Sequence, residues 1–190
     1  MRPTILHALL LFALSAVPAS AQSAPDAVDP FAAHRWHVET EAVAALEAAN
    51  YNADHEELYW LNESVTYGLK DGLVLRAGQR FAYVSQRSED AVLLGLTIGV
   101  RGRVWRRGRM AAFLQGDVGI SYSAIASPPR GTRFNYLANG GGGLMVRVHP
   151  RAHVVSTLQL IHISNASLKG RSRNPDIEAL GPSIGLLIRF

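Results

Sequence analysis

The chain of 190 residues contains no cysteine. That absence excludes a disulfide framework and any thiolate metal site. Beyond the N-terminus it also lacks any stretch approaching the roughly 20 consecutive apolar residues that a membrane-spanning helix needs. Strands remain as a route across a bilayer, because barrel strands alternate lipid-facing and lumen-facing residues and leave no long hydropathy signal. Charge of one sign is scarce as well. The formal net charge is only +4, and much of the surplus sits in short clusters such as Arg101, Arg103, Arg106, Arg107 and Arg109. For an exported chain, anionic phosphate on a lipid surface is a better partner for these than nucleic acid. Capping of strand ends is the simpler reading.

What is present begins with an export signal. Arg2 precedes a largely apolar run over 5–17, and Ala19-Ser20-Ala21 is a small-residue cleavage site ahead of Gln22. This pattern predicts a signal peptide over 1–21 and a single mature domain over 22–190.

Period-two alternation then recurs to the end of the chain, which is the signature of strands. Eight segments show it: 35–44, 57–69, 73–84, 91–105, 110–123, 134–148, 152–165 and 177–190. In the first, Trp36, Val38, Thr40 and Ala42 oppose Arg35, His37, Glu39 and Glu41. In the third, Leu73, Leu75, Ala77, Phe81 and Tyr83 share one parity, with Gln79 the exception. Aromatic residues near segment ends (Trp36, Trp60, Tyr67, Trp105, Tyr122, Phe134, Tyr136) are placed as interfacial girdles would be. The charged stretch 39–57 admits a partly helical alternative. Tight turns at 70–72, 106–109 and 149–151 alternate with longer links over 45–56, 85–90, 123–133 and 167–175. This is the asymmetry of an up-and-down outer-membrane barrel, with short periplasmic turns and long external loops. The expected fold is all-β: an eight-stranded antiparallel transmembrane barrel in the bacterial outer membrane.

One region carries possible chemistry. His162 and Ser164 are two apart on a strand, so they emerge on one face about 7 Å apart at the backbone. A histidine there can act as base toward the serine hydroxyl, and a carboxylate would orient the imidazole. Glu178 opens the next strand across the loop, with Asp176 as the reserve acid. Glu178 shares parity with Leu180, Ile184, Leu186, Ile188 and Phe190, whereas Ala179, Gly181, Ser183, Gly185 and Arg189 form the opposite face, with Leu187 an apolar exception to its polar and small character. The catalytic candidates thus fall on the lipid-facing side, where charge costs a few kcal/mol at mid-depth and little near the interface.

The run His162-Ile163-Ser164-Asn165-Ala166, followed by Asn174 and an acid, resembles the PagL-type lipid A 3-O-deacylases and related acyloxyacyl hydrolase-like barrels. Gly131-Thr132-Arg133-Phe134-Asn135-Tyr136 resembles a second motif of that group. The resemblance implies an ester hydrolase that removes the 3-O-linked acyl chain of lipid A without metal or other cofactor. It makes Ser164 the nucleophile, His162 the base and Glu178 the acid. Asn165 and Asn174 match asparagines that stabilise an oxyanion or order the loop. The loop after Ala166 is slightly longer than in well-known members, and Asp176 stands where they often carry glycine.

Other motifs read as structural. His34, His37, His55, His149 and His153 lack metal-site spacing and are expected at girdles or turns. Gly140 to Gly143 has no strand-to-helix context for a phosphate cradle and suits a crowded barrel wall. Two further readings compete with the hydrolase: an inert structural barrel, and a soluble exported barrel holding a ligand inside. The facing of Ile184, Leu186 and Ile188 separates membrane from soluble.

Overall fold

The computed structural model describes residues 29–48, 56–170 and 174–190. The expected signal peptide, His55 and parts of two long links lie outside these. Eight strands follow one another: β1 (Trp36–Glu47), β2 (Glu57–Lys70), β3 (Leu73–Ser85), β4 (Ala91–Arg107), β5 (Met110–Ser123), β6 (Phe134–His149), β7 (Ala152–Ser164) and β8 (Ile177–Arg189). Each pairs antiparallel with its neighbour, and β8 returns to β1 to close the barrel. Closure is required in hydrocarbon, where an unpaired strand edge would strand its N–H and C=O groups without water. The stretch after Glu39 is strand through Glu47, and no helix occurs among the described residues. Alternation over 36–47 overrides the helical character of its Ala and Glu residues.

The outer wall is apolar. Ile184, Leu186 and Ile188 are 63, 41 and 45% exposed, while Ser183 and Leu187 of the opposite parity are buried. This facing fits a bilayer and contradicts a soluble barrel with an apolar interior and polar exterior. The outward exception at Gln79 is met across the strand by Glu63, whose carboxylate accepts from its amide at 2.8 Å. The short turns lie at the same end as both barrel termini, and register shifts at Gly68/Lys70, Arg103/Trp105 and Arg147/His149 all fall there. By the usual asymmetry that end is periplasmic and the long loops are external.

The interior is layered. At mid-barrel the buried carboxylates Glu39, Glu41 and Asp117 face the buried guanidiniums of Arg76, Arg80 and Arg101. Arg101 donates to both oxygens of Glu39 at 2.6 and 2.8 Å, and to Gln115. Arg76 bridges Asp117 at 3.1 Å and Glu39 at 3.4 Å. Arg80 donates to Asn62, and Asn62 to Glu41. Buried charges survive only when paired in this way. Toward the external end, apolar residues including Leu58, Trp60, Ile161, Ile163 and Ile177 fill the lumen. At the periplasmic end Phe31, fully buried, enters the mouth and packs with Val74, Phe113, Met145, Val155 and Leu187. Its segment is tied down by Asp29, which pairs with Arg103 and Arg106. Gly143 makes room for this plug, since a Cβ there would lie 2.0 Å from the Ser156 carbonyl oxygen and 2.9 Å from the Phe113 ring.

Several expectations are corrected by this interior. Trp60 is inside, under the Arg80 guanidinium at 3.9 Å, not in a girdle. His37 and His153 are likewise buried in the lumen. Arg101 belongs to an internal ion pair, and Arg103 and Arg106 hold Asp29, so these three are not a lipid-phosphate patch. Gly140 faces open space, unlike the crowded Gly141 and Gly143.

The central ion pair is a measurable element of stability. Arg101→Ala leaves Glu39 buried without its main partner and is expected to cost about 3–5 kcal/mol. Urea unfolding of the barrel in lipid vesicles measures this. A change within experimental error would show that the network contributes nothing.

Candidate active site

The external ends of β6, β7 and β8 bring the sequence candidates together. His162 stands directly opposite Glu178 in the β7–β8 register, and Ser164 opposite Tyr136 in the β6–β7 register. His162 Nε2 lies 2.9 Å from Ser164 Oγ, within hydrogen-bond distance. Glu178 Oε1 lies 3.7 Å from His162 Nδ1, in ion-pair range but longer than a hydrogen bond. The three groups therefore run in the order hydroxyl, imidazole, carboxylate. A ring proton on Nδ1 would face Glu178 and leave the Nε2 lone pair for the serine. Ser164 is buried, while the His162 and Glu178 side chains are just over two-fifths exposed.

Backbone contacts fix the two strand ends. Ala48 N–H donates to the Glu178 carbonyl at 2.7 Å, tying the start of β8 to the end of β1. After β7 the chain turns sharply: Ala166 and Ser167 adopt φ of 50° and 62°. The left-handed region costs a non-glycine residue of order 1–2 kcal/mol, and such strain persists only where surroundings enforce it. One enforcing contact is visible. Asn174 Oδ1 accepts the Asn165 backbone N–H at 3.0 Å, across the loop. Asn174 is thus a loop clamp, and Asn165 is buried at the turn.

The second motif supports the same loop from the side. Asn135, fully buried, donates to the Ser127 and Thr132 carbonyls at 2.8 and 3.1 Å and so folds the β5–β6 loop. Gly131 lets that loop approach Pro175: a Cβ there would sit 3.3 Å from the proline ring and 2.9 Å from the Pro128 carbonyl. Arg133 donates to the Ser123 carbonyl and its guanidinium stands 4.9 Å from the Tyr122 ring centre. On the outer wall beside Ser164, Phe134 and Tyr136 meet edge-on at 5.4 Å.

The family resemblance implies chemistry without metal in this region. The structure places one ligand atom each from His162, Asp176 and Glu178 within 4.8 Å of one another. That grouping depends on cross-strand register, which no local spacing reveals.

No protein-family model matches the sequence, and neither does any curated protein. Solved structures do. Neisserial surface protein A superposes with a TM-score of 0.64 at 12% identity, covering 82% of this chain and 97% of that one. The outer membrane enzyme PagL follows at 0.53 and 16%, over 79% and 99%. The outer membrane protein OprG from Pseudomonas aeruginosa gives 0.52 and 11%, over 85% and 99%. The fold is that of an eight-stranded bacterial outer-membrane barrel. Of the three neighbours only one is described as an enzyme, and at such identities the likeness extends to the fold and no further. In this barrel the polar groups of β7 and β8 consequently open toward the bilayer at its external rim.

The clamp gives a direct test. Asn174→Ala removes one hydrogen bond, a loss of about 1 kcal/mol, so exchange of the Asn165 amide is expected to accelerate roughly fivefold. Hydrogen exchange resolved by NMR in micelles reads this amide. An unchanged rate would mean that the turn is held by other contacts.

Proposed function

We propose that this barrel is an ester hydrolase of the outer leaflet, removing the 3-O-linked acyl chain from lipid A in lipopolysaccharide. The observation that carries the reading is the Ser164–His162–Glu178 order on the lipid-facing side of the external rim. A serine hydroxyl is a poor nucleophile until a base accepts its proton, and His162 Nε2 is at the distance that requires. Attack on the ester carbonyl joins Ser164 Oγ to the acyl carbon. The proton taken by His162 passes to the departing sugar oxygen, which leaves as a hydroxyl, and water then releases the fatty acid by the same base. Glu178 is the acid of choice over Asp176, because it lies opposite His162 in register. Its role is to hold the imidazole in the right tautomer and to stabilise the imidazolium. Asn174 orders the turn through the Asn165 N–H, and Asn165 is the residue on that turn assigned to the oxyanion.

The surroundings suit an acyl substrate. One rung deeper into the bilayer, Leu160 and Leu180 face each other on the outer wall, 63 and 42% exposed. Beside them on β6, Ala138 pairs with His162 and Gly140 with Leu160, leaving a shallow strip next to the pair. An acyl chain lying there keeps its ester at the depth of Ser164. No cofactor is needed for this chemistry.

The experiment is a lipid A mass readout from bacteria expressing each form. Wild type is expected to release one 3-O-linked acyl chain, Ser164→Ala and His162→Ala none. Glu178→Gln, which spoils the tautomer while keeping size, should slow the reaction by about 10⁴-fold. Full deacylation by Ser164→Ala would remove the mechanism. Unmodified lipid A with the wild-type barrel correctly inserted would favour an inert structural role.

A further inference from the structure

We infer that His162, Asp176 and Glu178 form a zinc site whose occupation switches off the His162–Ser164 pair. The switch rests on the hydrolase reading; the metal site does not. The arrangement of the three side chains points to it. One ligand atom from each residue lies within 4.8 Å of the others. Within that cluster His162 Nδ1 and Glu178 Oε1 stand 3.7 Å apart. Two ligands on a tetrahedral zinc at bonds of about 2.0–2.1 Å stand roughly 3.3–3.4 Å apart. Closing the widest separation in the cluster by about 1.5 Å brings one imidazole nitrogen and two carboxylates to a common centre, with water as fourth ligand.

The donor set selects the ion. Calcium and magnesium favour all-oxygen cages, whereas imidazole suits zinc. Two carboxylates neutralise the dication, so the filled site adds no net charge to a rim facing lipid. Partial exposure of the cluster leaves it open to ions from outside.

The consequence for chemistry follows from the two ring nitrogens. Nε2 faces Ser164 and Nδ1 faces Glu178. Zinc takes the Nδ1 lone pair, and the one proton of the neutral ring then resides on Nε2. Nε2 becomes a donor toward Ser164 and loses the lone pair that accepts the hydroxyl proton. The same event draws Glu178 onto the metal and away from its orienting role. Nothing is oxidised or reduced, and removal of the ion restores the starting tautomer.

The test uses the tag-free barrel in detergent micelles, titrated with zinc chloride and read by calorimetry, with cobalt(II) absorption as a second probe. Wild type and Ser164→Ala should each bind one equivalent, since the serine is not a ligand. His162→Ala and Asp176→Asn should bind about tenfold more weakly or worse. Glu178→Gln serves as a further variant, and heat-modifiable gel mobility confirms folding of each. Calcium chloride should give no heat. In the deacylation assay zinc should inhibit and EDTA restore the rate. For Asp176→Asn, normalised to its own zinc-free rate, the half-inhibiting concentration should rise about tenfold or more. Absence of zinc binding, binding indifferent to His162 and Asp176, or activation by zinc would each overturn the inference. A barrel that binds zinc through these residues but never deacylates lipid A would overturn the switch and the hydrolase reading, leaving the metal site intact. Deacylation indifferent to zinc would overturn the switch and leave the hydrolase reading intact.

Discussion

Everything in this molecule depends on one constraint: in hydrocarbon, each backbone N–H and C=O must find a partner within the protein. A sheet satisfies it only by closing on itself, through the β1–β8 seam. Closure then sorts side chains by parity, since neighbours along a strand point to opposite walls. The lipid wall is largely apolar from Trp36 to Phe190, with the Glu63–Gln79 pair an exception, and the lumen receives most of the charged residues. Against that rule, His162 and Glu178 are polar groups on the wrong side, and they stand directly across from each other. Ser164, on the same face, completes the group. A polar set on the lipid wall costs least near the interface, which is where the external ends of β7 and β8 place it.

The lumen is built for closure too. Arg76, Arg80 and Arg101 with Glu39, Glu41 and Asp117 cross-link facing strands at mid-height. Apolar layers above and below seal that network, with Phe31 as the periplasmic stopper. A filled interior leaves the outer wall and the loop rim as the surfaces available for chemistry, and gives β7 and β8 a rigid backing. The buried Ile161, Ile163 and Ile177 are the lumen-facing residues of the same two strands whose outer side carries the candidate site.

Much of this was legible from alternation. Eight strands, their order, the facing of Ile184 and Leu186 and the gathering of His162, Ser164 and Glu178 follow from period two and from link lengths. What escaped was tertiary. Trp60, His37 and His153 are residue types at home in a girdle, but their parity turns them into the lumen of the closed barrel. Leu187 broke the polar pattern of its face because Phe31 packs on it, and Phe31 precedes the first strand in a segment without periodicity. Arg101 looked like part of a surface cluster because its partner, Glu39, lies on a distant strand. The clustering of Asp176 with His162 and Glu178 was hidden for the same reason, as was the role of Asn135 in folding the neighbouring loop.

The central claim is that Ser164 is a nucleophile facing the outer leaflet. It is tested most directly by covalent labelling of the micelle-bound barrel with a long-chain alkyl fluorophosphonate, followed by peptide mass spectrometry. The account predicts a single phosphonylated residue, Ser164, and loss of the adduct in His162→Ala. An unlabelled Ser164 in the folded barrel, or labelling that ignores His162, would contradict it.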